Sequence, residues 1–102
     1  MGFERWGYQF DGAFIDPSSL KSSSGVYVIW CKTSDDWTVL DGGEAGNVRD
    51  RVMNHDRSDY WQRHCSGTIY YSATYTPYLS QTERVKIEQQ IMVIAKPPCG
   101  ER

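Results

Sequence analysis

Gly25-Val26-Tyr27-Val28-Ile29-Trp30-Cys31 is the stretch of this chain that decides its fold class. Its residues are mostly β-branched or aromatic, which favours extended backbone, and apolar side chains occupy both of its alternating faces. A strand that is apolar on both faces belongs in the middle of a sheet that is covered on two sides. The sequence therefore predicts a central strand with other elements packed above and below it.

The residues that follow this strand carry the signals of a hairpin and of alternating helices and strands. Asn47 is placed to cap one helix together with Asp50, and Ser80 with Glu83 fits a capping box for another. Pro97-Pro98 forbids continuation of the last helix. The predicted elements are a hairpin over 25–41, a glycine-rich turn at 42–46, helices at 48–55 and 58–64, a strand at 68–75 and a last helix that ends at 95.

The first 24 residues carry weaker signals. A short strand is predicted at 8–10, and 16–20 is typical of a capped turn or a single helical turn. The order hairpin, helix, strand, helix predicts an α+β fold, with a small antiparallel sheet of three to four strands flanked by helices and mixed pairing possible. We expect one domain over 1–102, in which 1–24 is an N-terminal extension packed on a core of 25–100.

The composition is that of one ordinary globular domain, with 102 residues of which 39% are hydrophobic and 24% charged. No run approaches the roughly 18 apolar residues of a membrane helix, and the first residues lack the basic-then-apolar plan of a signal peptide. We therefore expect a cytoplasmic protein with no membrane partner. Cys31, Cys65 and Cys99 are odd in number and form no Cys-x-x-Cys pair, which predicts free thiols rather than a disulfide framework or a zinc site.

The charge of the chain is distributed unevenly. The net charge of -2 argues against strong nonspecific DNA binding. Residues 45–102 nevertheless hold eight basic and six acidic groups, a local charge of +2, which an anionic ligand or a solvated helix face explains equally well. The arginines concentrated there are Arg49, Arg51, Arg57 and Arg63.

Glu88 is an anomaly on the last predicted helix. Drawn at about 100° per residue, the helix places Glu88 inside the apolar arc that contains Ile91 and Met92. A carboxylate in an apolar arc is unfavourable unless it is paired or bound to a cation. Glu88 is therefore either salt-bridged, with Arg84 one turn earlier as the candidate, or a metal ligand.

Arg51 and His55 form a second anomaly, on the first predicted helix. They are four residues apart and share a face with Val48, whereas Arg49 points to nearly the opposite side. A guanidinium and an imidazole beside a glycine-rich turn make a reasonable phosphate site. The glycines match neither a P-loop nor the dinucleotide fingerprint, so no nucleotide cofactor is expected.

Taken in order, these residues resemble the motifs of the GIY-YIG nuclease superfamily. The family includes the N-terminal nuclease domain of a bacterial excinuclease, phage homing endonucleases and many small stand-alone bacterial proteins. The likeness covers about 25–100 and is carried by Gly25-Val26-Tyr27, a glycine turn, the segment 47–55, Glu88 and a Pro-Pro-Cys tail. The family fold, a small antiparallel sheet flanked by helices, agrees with the elements predicted above.

The resemblance implies a role for each matching residue. Tyr27 matches the tyrosine that activates or organises the attacking water, and Arg51 the arginine that stabilises the phosphate transition state. His55 occupies a position held by His or Tyr near the scissile phosphate. Glu88 matches the single carboxylate that holds a divalent metal, Mg²⁺ or Mn²⁺, which completes its coordination with waters and substrate oxygens.

The second motif departs from the family pattern. Asp41-Gly42-Gly43 stands where Tyr-Ile-Gly or Tyr-Val-Gly is expected, Glu44 replaces a frequent lysine, and Gly100 stands where many members place an asparagine. Asp41 and Glu44 add negative charge where a phosphate would approach, which disfavours substrate unless a cation intervenes. Small stand-alone members with Asp and Glu at these places form a subgroup of the superfamily.

Two functions from different classes follow. The first is a divalent-metal-dependent DNA endonuclease in which Glu88 binds the metal, Tyr27 or Asp41 handles the water proton, and Arg51 stabilises charge. His55 then assists proton transfer. The second is a catalytically inactive nucleic-acid-binding or protein-interaction module that keeps the fold. DNA is the partner expected of the active nuclease, with Arg49, Arg57 and Arg63 as the residues that contact nucleic acid, and the sequence does not define an oligomeric state.

Overall fold

An antiparallel sheet with helices on both faces forms the centre of the computed structural model, which describes residues 2–98. A single 3-10 turn at Pro17–Ser19, capped by the Asp16 side chain, precedes the central strand. In chain order the strands and helices are β1 (Gly2–Arg5), β2 (Tyr8–Phe14), β3 (Gly25–Thr33), β4 (Asp36–Ala45), α1 (Val48–Met53), α2 (Ser58–His64), β5 (Thr68–Tyr75) and α3 (Gln81–Ala95).

The α+β class predicted from the sequence is confirmed. The strand order is β1-β2-β5-β3-β4, so β3 lies inside the sheet between β5 and β4, as its apolar character predicts. The sheet has five strands within the described residues, rather than three to four. The difference is the N-terminal segment, in which β1 and β2 form a hairpin that extends the sheet along β5 instead of packing on it as an extension.

Alternation along β3 divides the core into two layers. Tyr27 and Ile29 face the layer that contains α1 and α2, whereas Val26 and Val28 face the layer that contains α3. The first layer includes Val48, Val52 and Trp61 from the two short helices, and the second includes Phe10, Ile91 and Met92. We call these the α1–α2 face and the α3 face of the sheet.

The glycine-rich turn predicted at 42–46 is wrong, because β4 continues through both of its first glycines to Ala45. Each glycine makes room for a neighbour. A Cβ at Gly42 would collide with the Met92 side chain, and one at Gly43 would collide with the Tyr27 hydroxyl. These glycines therefore allow close packing inside a strand. Glycine content alone does not distinguish this role from a turn.

Helix α1 is two residues shorter than predicted. Asn47 caps it by accepting a hydrogen bond from the Asp50 N–H, as predicted, but the helix ends at Met53. Asn54 terminates it with φ −118°, and the Asn54 side-chain amide donates to the Asp50 carbonyl oxygen at 3.0 Å. His55 is consequently outside the helix. The bounds predicted for α2, β5 and α3 are confirmed, including the capping box between Ser80 and Glu83.

The prediction that the cysteines are free thiols is wrong for two of them. Cys31 on β3 and Cys65, which follows α2, form a disulfide. Their sequence separation of 34 residues gives no local signal, and only the packing of α2 over β3 brings their Cα atoms to 5.6 Å. Cys99 and Gly100 lie outside the described residues. No helix within the described part of the chain is long and apolar enough to cross a membrane.

Candidate functional site

Tyr27 and His55 meet on the α1–α2 face of the sheet. Tyr27 projects from the first half of β3, and His55 reaches it because the chain leaves α1 at Asn54. The Tyr27 Oη and His55 Nε2 atoms are 2.9 Å apart, and the rings meet edge-on with centroids 5.8 Å apart. Only 2% of Tyr27 and 5% of His55 are exposed. The pair predicted from distant parts of the sequence is thus in direct contact.

The backbone of Arg57 fixes the proton positions in this pair. Its N–H donates to His55 Nδ1 at 3.0 Å, so Nδ1 carries the lone pair. A neutral imidazole then bears its proton on Nε2 and donates it to the Tyr27 oxygen. The Tyr27 O–H is left to donate to another acceptor. A phosphate oxygen would satisfy it.

Burial keeps both groups neutral. Desolvation, with the positive charges of Arg51 and Arg57 adding to it, lowers the pKa of His55 from 6.5 to about 4. Desolvation also raises the pKa of Tyr27 from 10.0 to about 12, although the nearby Arg51 charge opposes this shift. Near neutral pH the site therefore holds an uncharged imidazole and an uncharged phenol. This protonation favours Tyr27 as a hydrogen-bond donor over Tyr27 as a phenolate base.

Arg51 supplies the positive charge beside this pair. It lies on α1, one turn before His55, and its charge acts on the pKa of both Tyr27 and His55. Its side chain is 43% exposed, and its Nη2 atom lies 3.5 Å from a carboxylate oxygen of the exposed Asp56. Such a surface ion pair is weak, so the guanidinium can exchange it for a phosphate.

Asp41 is fully buried and saturated with hydrogen bonds. Arg57 donates from Nε to Oδ2 at 2.7 Å and from Nη2 to Oδ1 at 3.2 Å. The Trp61 indole N–H donates to Oδ2 at 2.8 Å, and the Gly42 N–H donates to Oδ1 at 2.7 Å. The Asp41 side chain has no exposed area. This geometry gives Asp41 a structural task, to hold the start of α2 on β4, and leaves it no path to the proton of an attacking water.

Arg57 is assigned to the same structural task. Its side chain is only 17% exposed and is engaged by Asp41 in a two-point ion pair, which raises its pKa further. It is therefore poorly placed for the DNA contact predicted for it. Arg49 and Arg63 are exposed, with the Arg63 guanidinium 4.8 Å above the Tyr60 ring, so these two arginines stay available to an external anion.

Trp61 fills the core of the α1–α2 face and also has a polar role that the sequence did not indicate. Its ring packs 4.7 Å from the His55 ring while its N–H holds Asp41. Its sequence separation of 20 from Asp41 leaves no local signal for the pairing. The sequence offers one indirect signal for this pairing. Asp41 lies in a predicted strand, and a carboxylate that is buried there needs hydrogen-bond donors nearby.

Glu88 belongs to the other side of the sheet. It is half-buried on α3, which confirms its place within the apolar arc, and α3 packs on the face opposite to Tyr27 and His55. Nearby, Arg84 donates from Nε to a Glu44 carboxylate oxygen at 3.1 Å, so Glu44 is paired with a cation. No group of three or more His, Cys, Asp or Glu within residues 2–98 is arranged to hold a metal ion.

Acid is expected to destabilise the fold through His55. The folded state keeps His55 neutral down to about pH 4, whereas the unfolded chain protonates it below about 6.5. Unfolding therefore takes up a proton in this window, and stability is lost as the pH falls from 6.5 toward 4. We expect a loss of about 1–3 kcal/mol, measured by urea denaturation at a series of pH values.

The matched control is His55→Gln, which removes the titrating group. The difference in unfolding free energy between wild type and this variant should change across the window, with the wild type losing more as the pH falls. Parallel pH profiles for the two proteins would contradict a buried neutral histidine.

The structure thus brings Tyr27, Arg51 and His55 together on one face, with Asp41 beneath them and Glu88 on the other face. Comparison of the chain with family models, with curated proteins and with solved structures finds no match.

Proposed function

We propose that this protein is a divalent-metal-dependent DNA endonuclease of the GIY-YIG type, which hydrolyses phosphodiester bonds at the Tyr27–His55 site. The observation that carries the proposal is the convergence of three residues that the resemblance singled out. Tyr27 comes from β3, Arg51 from α1 and His55 from the loop after α1, and Tyr27 and His55 are 2.9 Å apart. A bare scaffold does not need a phenol, an imidazole and a guanidinium in this arrangement.

The protonation of the site suits phosphate chemistry. The Arg51 guanidinium binds the phosphate and stabilises the negative charge that grows on its oxygens in the transition state. The Tyr27 O–H donates to a phosphate oxygen or to the water that attacks. His55 orients the phenol by donating to its oxygen from Nε2, while the Arg57 N–H holds the imidazole in that orientation.

Glu88 is the residue proposed to hold Mg²⁺ or Mn²⁺. Mg²⁺ is bound in many sites by one or two carboxylates with waters and substrate phosphates, so a single glutamate is compatible with it. When bound, the metal would supply a Lewis acid and acidify a water. Glu88 lies on the α3 face, opposite to Tyr27 and His55, so its role as a metal ligand needs a test of its own. That test is calorimetric titration of Mg²⁺ into wild type and Glu88→Ala.

The partner in this proposal is DNA, bound through Arg49 and Arg63, the two predicted DNA-contacting arginines that are exposed. We also propose a cytoplasmic location, as the sequence predicts. The Cys31–Cys65 disulfide weighs against it, because most structural disulfides form in oxidising compartments. Cys31 is only 3% exposed, which protects the bond from dissolved thiols once it has formed.

The decisive experiment is cleavage of supercoiled, branched and single-stranded DNA in Mg²⁺ or Mn²⁺. Wild type should cut at least one of these, and Arg51→Ala should cut it about 100-fold more slowly, because it loses the cation that stabilises the transition state. Glu88→Ala should be inactive.

Lys86→Ala is the control for this assay. It removes one positive charge from an exposed position on α3, away from Tyr27, and should retain wild-type activity. Because all variants are purified in the same way, cutting that persists unchanged in Arg51→Ala and Glu88→Ala would reveal a contaminating nuclease and sink the proposal.

The second candidate is the catalytically inactive module that binds nucleic acid or protein. The near-complete burial of Tyr27 and His55 favours it, because a substrate must reach the reacting groups. Under this alternative the Tyr27–His55 pair holds α1 against the sheet. Folded wild type that cuts none of the substrates with metal present would select this candidate.

A further inference from the structure

Part of the α3 face is left open and carries aromatic rings. A cleft of about 530 Å³ lies there, and no α3 residue lines it. Three of the residues that line it, Gly2, Gly12 and Ala13, have little or no side chain. We call the aromatic side chains that line it the aromatic platform, and they are Phe3, Trp30, Trp37 and Tyr70.

A hydrogen bond and contacts between rings position the aromatic platform. Trp30 is 3% exposed, and its indole N–H donates to the Ser72 hydroxyl at 2.8 Å. Trp37 stands edge-on to Trp30, with ring centroids 6.2 Å apart, and its centroid lies 4.9 Å from that of Tyr70. Trp37 is 41% exposed, so a large ring surface faces solvent in a fixed orientation.

Two cations flank these rings. The Arg5 guanidinium lies 5.5 Å from the centroid of the Trp30 ring, and the Lys32 ammonium lies 5.4 Å from that of Trp37. None of the described residues that line the cleft is acidic. Although the chain has a net charge of -2, the residues that line this cleft combine rings with a positive charge and include no carboxylate.

We infer that the aromatic platform binds single-stranded nucleic acid, with bases stacking on Trp37 and Tyr70 and phosphates contacting Arg5 and Lys32. Stacking surfaces combined with cations are what proteins use to hold unpaired bases without reading their sequence. A sheet face that carries aromatic rings is also the surface on which single-stranded RNA stacks in small α+β domains. Paired bases in a duplex have their faces covered, so the platform discriminates against duplex.

This inference does not rest on the nuclease proposal. The platform lies on the α3 face of the sheet, whereas Tyr27 and His55 lie on the α1–α2 face. Either surface can bind or fail to bind without the other, and one test separates them.

The test is fluorescence anisotropy of a labelled oligothymidylate of about 15 nucleotides, titrated with the full chain in EDTA so that no metal-dependent cleavage occurs. Trp37→Ala should weaken binding at least about tenfold, as expected for loss of one stacking ring. Trp37→Phe should restore most of the affinity because it keeps a ring. Lys86→Ala removes a positive charge from an exposed position on α3 that does not line the cleft, and it should bind like wild type.

Tyr78→Ala is the matched control, because Tyr78 is 96% exposed and does not line the cleft. It should bind like wild type. The inference is overturned if wild type does not bind the oligonucleotide, if Trp37→Ala and Tyr78→Ala bind equally well, or if a duplex of the same length binds as tightly as the single strand. Should Trp37→Ala fail to fold by circular dichroism, Arg5→Gln decides, with weaker binding expected and unchanged binding contradicting the inference.

Discussion

Replacing Asp41 by alanine is expected to lower the free energy of unfolding by about 3–5 kcal/mol. The substitution leaves the Arg57 guanidinium, 17% exposed, without its carboxylate, and the Trp61 indole N–H without its acceptor. Removing one partner of a buried ion pair is strongly destabilising because the other charge stays buried and uncompensated. Urea denaturation followed by tryptophan fluorescence measures the change, since Trp61 itself reports on the site.

Asp56→Ala is the matched control for this prediction. The Asp56 side chain is 77% exposed, and its Oδ1 atom lies 3.5 Å from Arg51 Nη2 and 3.3 Å from His55 Nδ1, so its removal from this solvated position should change stability by less than about 0.5 kcal/mol. A similarly small effect for Asp41→Ala would contradict the buried network. Loss of DNA cleavage by Asp41→Ala with unchanged stability would instead revive Asp41 as the residue that takes the water proton.

Reduction of the Cys31–Cys65 disulfide is expected to destabilise the protein by about 3–4 kcal/mol. The bond closes a long loop, with 34 residues of sequence separation, and so restricts the unfolded chain. It also ties the end of α2 to β3, the strand that carries Tyr27. Denaturation curves with and without a phosphine reductant measure the effect.

The double variant Cys31→Ala, Cys65→Ala is the control, because reductant should not change its stability further. Thiol titration of the unfolded, unreduced protein gives an independent count. Three cysteines minus the two in the disulfide leave one reactive thiol per chain. Three reactive thiols and identical curves in both conditions would restore the sequence-based expectation of free cysteines.

Elements whose signals are local were predicted from the sequence with their correct ends. The capping box of Ser80 and Glu83 defines the start of α3, and Pro97-Pro98 forbids its continuation. β5 is a run of β-branched and aromatic residues that needs no context. The hairpin of β1 and β2 is also local but was mostly missed, because its charged, polar and glycine residues carry weak strand signals; its pairing with β5 depends on residues about 60 positions away.

In the candidate site, too, residues with a recognisable sequence pattern were predicted, whereas residues that meet only in the folded protein were not. Tyr27, Arg51 and His55 were selected by their resemblance to a known set of motifs, and the structure brings them together. The partners of Asp41 could not be selected in this way. Arg57 and Trp61 are 16 and 20 residues away from it, and an arginine and a tryptophan on a short helix have ordinary surface and core roles. Only the folded sheet shows that one carboxylate satisfies both.

The place of β5 in the sheet also dictates how the chain can acquire its structure. β2 and β3 are successive strands in the sequence, yet β5 lies between them and pairs with both. The hairpin of β3 and β4 can form from neighbouring residues, but the N-terminal hairpin has no strand to join until β5 arrives. During synthesis, residues 2–14 must therefore wait for 68–75. Such non-local pairing slows folding, because β5 must join two hairpins that lie earlier in the chain.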